Sequence, residues 1–204
     1  MEWKEIFAKL GILVFETEKV ARDEFSGISL YYDESPIIIL NGKANHNKRI
    51  FSLMHELVHL IQGKSTIGSI SPDNEKENFH NKVASEILIP SHTLKDTEIF
   101  HKNSNLNLAG ISHKYGVSKQ TAVYKLNSIG KITNKEKETL LKQILEKNKP
   151  QYKDNGILSY KFKKYKYEGK PYTQFILNAY NNKIITSTKL MRYLDIPIDK
   201  INSL

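Results

Sequence analysis

His55 and His59 stand four residues apart with Glu56 between them, in the run Met54-His55-Glu56-Leu57-Val58-His59-Leu60. Four residues is just over one helical turn, so on a helix both imidazoles project from one face. That spacing offers two nitrogen ligands to one tetrahedral zinc ion. Glu56, beside the first ligand, can then reach a zinc-bound water and take its proton as the water attacks a carbonyl. With seven His in 204 residues, chance produces this pattern in roughly one such chain in fifty. The setting sharpens the signal. Ile50, Phe51, Leu53, Met54, Leu57, Val58, Leu60 and Ile61 make the surrounding helix mostly buried, and polar residues inside a buried helix need partners.

The chain contains no cysteine, so disulfides are excluded and any metal must be held by His, Asp or Glu. A catalytic zinc needs a third protein ligand and an open fourth position. A third His six residues beyond the second is absent, because position 65 is Ser. A carboxylate from the next helix is therefore expected, with Asp73, Glu75, Glu77 and Glu86 as candidates. Glu77 and Glu86 are nine residues apart and fall on opposite helix faces. Glu77 has Asn81 one turn later on its own face, where an amide can orient a ligating His. Glu77 is the choice and Glu75 the runner-up. The donor for a tetrahedral oxyanion stays open, with His80, His92, His113 and Tyr115 suitable by type.

The elements that must carry these residues can be read from periodicity. Met1–Leu10 reads as a helix end closed by Gly11, followed by a short strand at Ile12–Phe15. Gly27–Tyr32 alternates as a second strand, and the continuous β-branched run Pro36–Leu40 reads as a third. Asp33–Pro36 is the expected hairpin turn. Helical spacing then covers about 47–62, with Gly63 as a stop, and about 73–88, ending before Pro90. Leu108 to Ile132 has the cadence of helix, turn, helix, with Ser118 as the cap of the second helix. A lysine-rich helix follows over about 134–148, with a soft boundary near Pro150. In the tail, Ile157–Tyr167 reads as a strand with one lysine face, and Tyr172–Asn181 and Thr186–Leu194 as short helices.

Charge is unevenly spread. Residues 1–100 hold 11 Lys+Arg against 15 Asp+Glu, whereas residues 101–204 hold 20 against 7. The basic half invites a nucleic acid or acidic partner, and a lysine-rich solvated surface is the plainer account. In the second helix of the helix-turn-helix cadence, Ser118, Lys119, Gln120, Thr121, Tyr124, Lys125 and Asn127 offer polar reach toward DNA. No apolar run approaches the roughly 20 residues of a membrane span. Met1–Leu10 does not read as a signal peptide, and the cysteine-free composition fits the cytoplasm.

The chain resembles the ImmA/IrrE family of regulatory zinc metallopeptidases. Leu10–Phe15, Gly27-Ile28-Ser29 and Pro36–Asn41 are similar to the family's opening strand and hairpin. Arg49–Leu60 resembles its active-site helix, and Glu77–Pro90 its third-ligand helix, with Glu77 and Asn81 on a Glu-x-x-x-Asn pair. Val58, Val83 and the Phe79-His80 pair depart from the family pattern without removing a ligand. The resemblance implies one catalytic Zn²⁺ held by His55, His59 and Glu77, with Glu56 as base and Asn81 behind the ligands. It implies an α+β fold: a zincin-like domain over 1–100, built from a small antiparallel or mixed sheet, an active-site helix and a third-ligand helix. A helix-turn-helix-like segment over 101–150 and a small basic α/β region over 151–204 would follow. The expected substrate is a partner protein, a helix-turn-helix repressor or antitoxin. Strand addition of an extended substrate to Pro36–Asn41 is a further expectation. The rival reading is a DNA- or protein-binding regulator with a structural or vestigial zinc site.

Overall fold

Helix α1 (Glu2–Lys9) leads into a three-stranded sheet through Gly11, whose φ of 78° lets the chain turn straight into β1 (Leu13–Thr17). The remaining strands are β2 (Gly27–Leu30) and β3 (Ile37–Asn41), in the order β1-β3-β2. β3 runs parallel to β1, with Val14 opposite Ile38, and antiparallel to β2, with Ile28 opposite Ile39. This computed structural model describes residues 2–21, 24–63, 65, 74–94, 99–100, 106–147 and 160–203. The central place of β3 explains its unbroken apolar run, because a strand paired on both edges and covered by helices has little surface for polar residues. It also corrects the expectation that an extended substrate adds to Pro36–Asn41. Both edges of β3 are already paired, and the outer edges of β1 and β2 are the ones without a strand partner among the described residues.

Helix α2 (His46–Ile61) starts at Asn45, whose side chain accepts a hydrogen bond from the Lys48 amide at 2.8 Å. Helix α3 (Asn74–Leu88) packs against it, and α2 in turn lies on β2 and β3. Phe7, Val14, Ile38, Leu40, Leu53, Met54, Leu60 and Ala84 form the core that these elements share. Glu16 of β1 ties two helices to the sheet. It is 3.2 Å from the Lys4 ammonium of α1 and 3.0 Å from the Arg49 guanidinium of α2. Arg49 also donates to the Gly42 carbonyl at 3.1 Å, so the residue six positions before His55 fixes the azimuth of the whole helix.

Helices α4 (Leu108–Tyr115), α5 (Lys119–Ser128) and α6 (Asn134–Lys147) follow a 3₁₀ turn at Ser91–Thr93. Gly116 takes the left-handed conformation between α4 and α5, and Ser118 caps α5 by accepting from the Thr121 amide at 3.1 Å. Their shared core is Ile89, Ile99, Ile111, Val117, Ala122, Val123, Leu126, Ile132 and Ile144. It begins at the last turn of α3, so this layer is continuous with the first.

The C-terminal part is α7 (Tyr160–Glu168), α8 (Lys170–Asn181), α9 (Ser187–Leu194) and a 3₁₀ segment at Ile198–Ser203. The strand expected over 157–167 is therefore corrected to helix across its described part, and the described tail is helical rather than α/β. Phe162 and Tyr165, three residues apart, fit a helical period, while Tyr165 and Tyr167, two apart, fit an alternating one. The helix is held by Lys164 and Glu168 at i,i+4, 2.8 Å apart. Lys4 donates to the Lys166 and Tyr167 carbonyls in its last turn. Phe15 of β1 meets Tyr172 edge-on at 5.1 Å, so the sheet as well as α1 contacts the tail. The boundary expected near Pro150 lies outside the described residues. Among the described residues no helix is long and apolar enough to cross a membrane.

Candidate metal centre

Glu77, His80 and Asn81 share one face of α3 because they are spaced at i, i+3 and i+4. That face meets the His55–His59 face of α2. One ligand atom from each of His55, His59, Glu77 and His80 lies within 4.8 Å of all the others. His55 Nε2 is 3.2 Å from His59 Nε2 and 3.2 Å from Glu77 Oε2. Glu77 Oε1 is 3.9 Å from His59 Nε2 and 4.0 Å from His80 Nδ1. Ligands about 2.0–2.1 Å from a tetrahedral ion stand roughly 3.3 Å apart, so the closest of these separations match a shared cation. The donor set of imidazoles and one carboxylate also suits zinc in a chain without thiols.

The hydrogen-bonding around the cluster sets which nitrogens face inward. His55 Nδ1 lies 3.0 Å from Asn81 Oδ1. A carbonyl oxygen only accepts, so His55 carries its proton on Nδ1 and turns a bare Nε2 to the cluster. Burial holds the His55 pKa below its ordinary value, and the Asn81 hydrogen bond opposes that shift in part. A neutral ring is the form that ligates a metal.

Glu56, the residue after His55, packs against β2. It is 6% exposed, and its Oε2 accepts a 2.8 Å hydrogen bond from the Ser29 hydroxyl of β2. Gly27, two residues earlier on the same inward strand face, makes room for it. A Cβ at Gly27 would lie 2.7 Å from Glu56 Cγ, closer than packed atoms tolerate. Neither Ser29 nor Gly27 was singled out from the sequence as a site residue. Their signal is an inversion: β2 buries Gly27 and Ser29 and turns Ile28 and Leu30 to the less buried side, the reverse of ordinary alternation.

Of the three candidate carboxylates among the described residues, Glu77 alone joins the cluster. Glu75 is exposed. Glu86 pairs with the fully buried Lys125 of α5 and accepts from the Ser91 amide at 2.8 Å and the Ser91 hydroxyl at 2.7 Å. Asp73 lies outside the described residues. Of the oxyanion candidates, His80 is in the cluster, while His92 and His113 are exposed and Tyr115 donates to the Thr93 carbonyl at 2.9 Å. Tyr124, named from the sequence only for polar reach toward DNA, also lies near the cluster. It stacks on Phe51 of α2 at 5.3 Å. Burial raises its pKa and the Glu77 charge raises it further, which puts the protonated phenol within electrostatic reach of the cluster.

That stacking bears on the DNA expectation. Thr121 and Lys125 are fully buried and Tyr124 faces α2, so three of the seven polar residues offered for base or phosphate contact are turned into the protein. The helix-turn-helix cadence here packs α5 onto the α2–α3 layer.

The sequence model of Peptidase_M78, IrrE N-terminal-like domain, matches residues 7–127. That span starts in α1, takes in the whole sheet and the α2–α3 cluster, and ends in α5. No match was found among curated proteins or among solved structures.

Proposed function

This chain belongs to the Peptidase_M78 family of IrrE N-terminal-like domains, and we propose that it is a zinc-dependent endopeptidase acting on a partner protein. The observation that carries the reading is Glu56: a buried carboxylate, oriented by Ser29, immediately beside a ligand of a His–Glu cluster. A site that only held the fold together would have no use for an ionisable group there.

A zinc ion held by His55, His59 and Glu77 supplies Lewis-acid polarisation of the scissile carbonyl and acidifies water. The chain's own residues do the rest. Glu56 accepts the proton of the attacking water and returns it to the departing amide nitrogen. Ser29 holds Oε2 and so fixes the plane of the carboxylate, while Gly27 keeps the approach to it clear. Asn81 holds the His55 tautomer. The outer edge of β2, which has no strand partner among the described residues and carries Ser29 beside Glu56, is the place for an extended substrate to add as a strand. Tyr124 is the added candidate for the donor to the carbonyl oxygen. The partner, by family resemblance, is a helix-turn-helix repressor or antitoxin, and the zincin-like portion, the helical layer and the basic tail divide as 1–100, 101–150 and 151–204.

Replacing Glu56 with Gln tests this directly. The variant is expected to keep its metal and lose cleavage of a co-expressed partner by about 100-fold or more. Cleavage at the wild-type rate would sink the mechanism. The second reading, a binding regulator with a structural or vestigial zinc site, is favoured by one observation: His80 brings a fourth donor to the cluster.

A further inference from the structure

We propose that His80 is a fourth protein ligand of the same metal, so that the resting site is closed and opens only when this imidazole yields its place. The inference rests on the metallopeptidase reading. His80 occurs where the sequence departs from its family pattern, and the sequence offered it only as an oxyanion donor by type.

Three observations place it at the metal. The ring is 3% exposed and lies 4.0 Å, centroid to centroid, from that of His59. It stands three residues after Glu77 on the same helix face, and a Glu-x-x-His pair is a spacing by which one helix gives two ligands to a metal centre. Its tautomer is also set. His80 Nε2 lies 3.1 Å from Gln62 Oε1, a carbonyl oxygen that can only accept, so the proton sits on Nε2 and Nδ1 presents its lone pair on the Glu77 side. The arrangement mirrors that of His55 and Asn81, with the two ring nitrogens exchanged. Each imidazole is clamped from behind by a primary amide carried on the opposite helix.

Three imidazoles and a carboxylate complete a tetrahedron, which is the coordination of closed sites, whereas hydrolytic sites keep one position for water. His80 therefore occupies the place that water and the scissile carbonyl need. Gln62, which holds it, is the C-cap of α2 and is exposed. The clamp thus sits at a solvent-facing helix end, where a partner can reach it. Such a site is latent while the clamp holds and active once it is released.

The test uses the full chain loaded with Zn²⁺ or Co²⁺, as wild type, His80→Ala and His59→Ala. His59→Ala should abolish tight metal binding in either case and serves to check the underlying reading. His80→Ala should weaken zinc binding in chelator competition by about 100-fold. It should also lower the intensity of the Co²⁺ visible bands as a four-coordinate site gains water. Acetohydroxamate, a small ligand that needs an open coordination position, should perturb the Co²⁺ spectrum of His80→Ala at concentrations about 10-fold or more below those that affect wild type. If His59→Ala loses the metal while His80→Ala matches wild type in affinity and spectrum, the fourth ligand is refuted and the peptidase reading stands. If wild type and His59→Ala are alike in binding no metal tightly, both fall. Equal acetohydroxamate binding by wild type and His80→Ala overturns the closed resting state. Should His80→Ala fail to fold, ¹¹³Cd-loaded wild type with ¹⁵N-labelled His decides the matter. Three imidazoles coupled to cadmium, one through Nδ1, support the inference; two overturn it.

Discussion

The Ser29 hydroxyl donates to Glu56 Oε2 across 2.8 Å, from the inward face of β2 to the buried side of α2. The contact spans 27 positions of sequence and gives the base an orientation that the helix alone does not impose. Ser29→Ala is expected to slow peptide hydrolysis by about 10-fold at unchanged metal content, because one charge-assisted hydrogen bond to the carboxylate is lost. Gly27→Ala should slow it further, since the new methyl would lie 2.7 Å from Glu56 Cγ and push the carboxylate aside. Steady-state kinetics with metal analysis on both variants checks this. Full activity in Gly27→Ala would show that β2 does not position Glu56.

Much of this centre was legible because its signals are local. His55 and His59 are one helical turn apart with Glu56 beside the first, and Glu77 and Asn81 are one turn apart on another helix, so spacing alone put each pair on a single face. The Ser118 cap and the α2 boundaries followed from equally short patterns. What was not legible is the pairing between elements. Ser29 reaches Glu56, and Gln62 reaches His80, only once the strands and helices have packed. His80 shares the helical face of Glu77 and Asn81, so its spacing did hold the information, but reading it as a site residue required knowing that α3 turns that face to α2. The Lys/Tyr-rich segment near 161–167 failed for a different reason, because a short run with apolar residues at both two and three residues' separation fits strand and helix alike.

The Asn81–His55 contact carries a prediction about affinity rather than rate. His55 Nδ1 and Asn81 Oδ1 are 3.0 Å apart, and an amide behind a ligand fixes both its tautomer and its ring plane. Asn81→Ala should weaken metal binding by about 10–100-fold, and activity should recover at saturating metal. Asn81→Asp keeps an acceptor at the same position and should retain most of the affinity. Competition with a chelating dye reads both. An Asn81→Ala variant that binds metal as tightly as wild type would remove the amide from the design.

A third prediction concerns the joint between α3 and α5, where Lys125 is fully buried and Glu86 is 49% exposed on its side chain. Partial burial pushes the Glu86 pKa up, but the Lys125 ammonium and the Ser91 amide and hydroxyl outweigh it and bring the carboxyl down to about 2 from 4.5. The native state thus binds this proton less readily than the unfolded chain does. The contact stabilises fully above pH 4.5, and its contribution fades as pH falls toward about 2. Because Glu86 is half exposed, solvent screening limits the gain to about 1–2 kcal/mol. Glu86→Gln should therefore lower stability in urea by that amount at pH 7, and the gap from wild type should shrink steadily below pH 4.5. Adding Lys125→Met should restore much of the loss, since the variant no longer buries an ammonium whose counter-charge has gone. A gap that stays constant from pH 7 down to pH 3 would mean that Glu86 acts through packing and not through its charge.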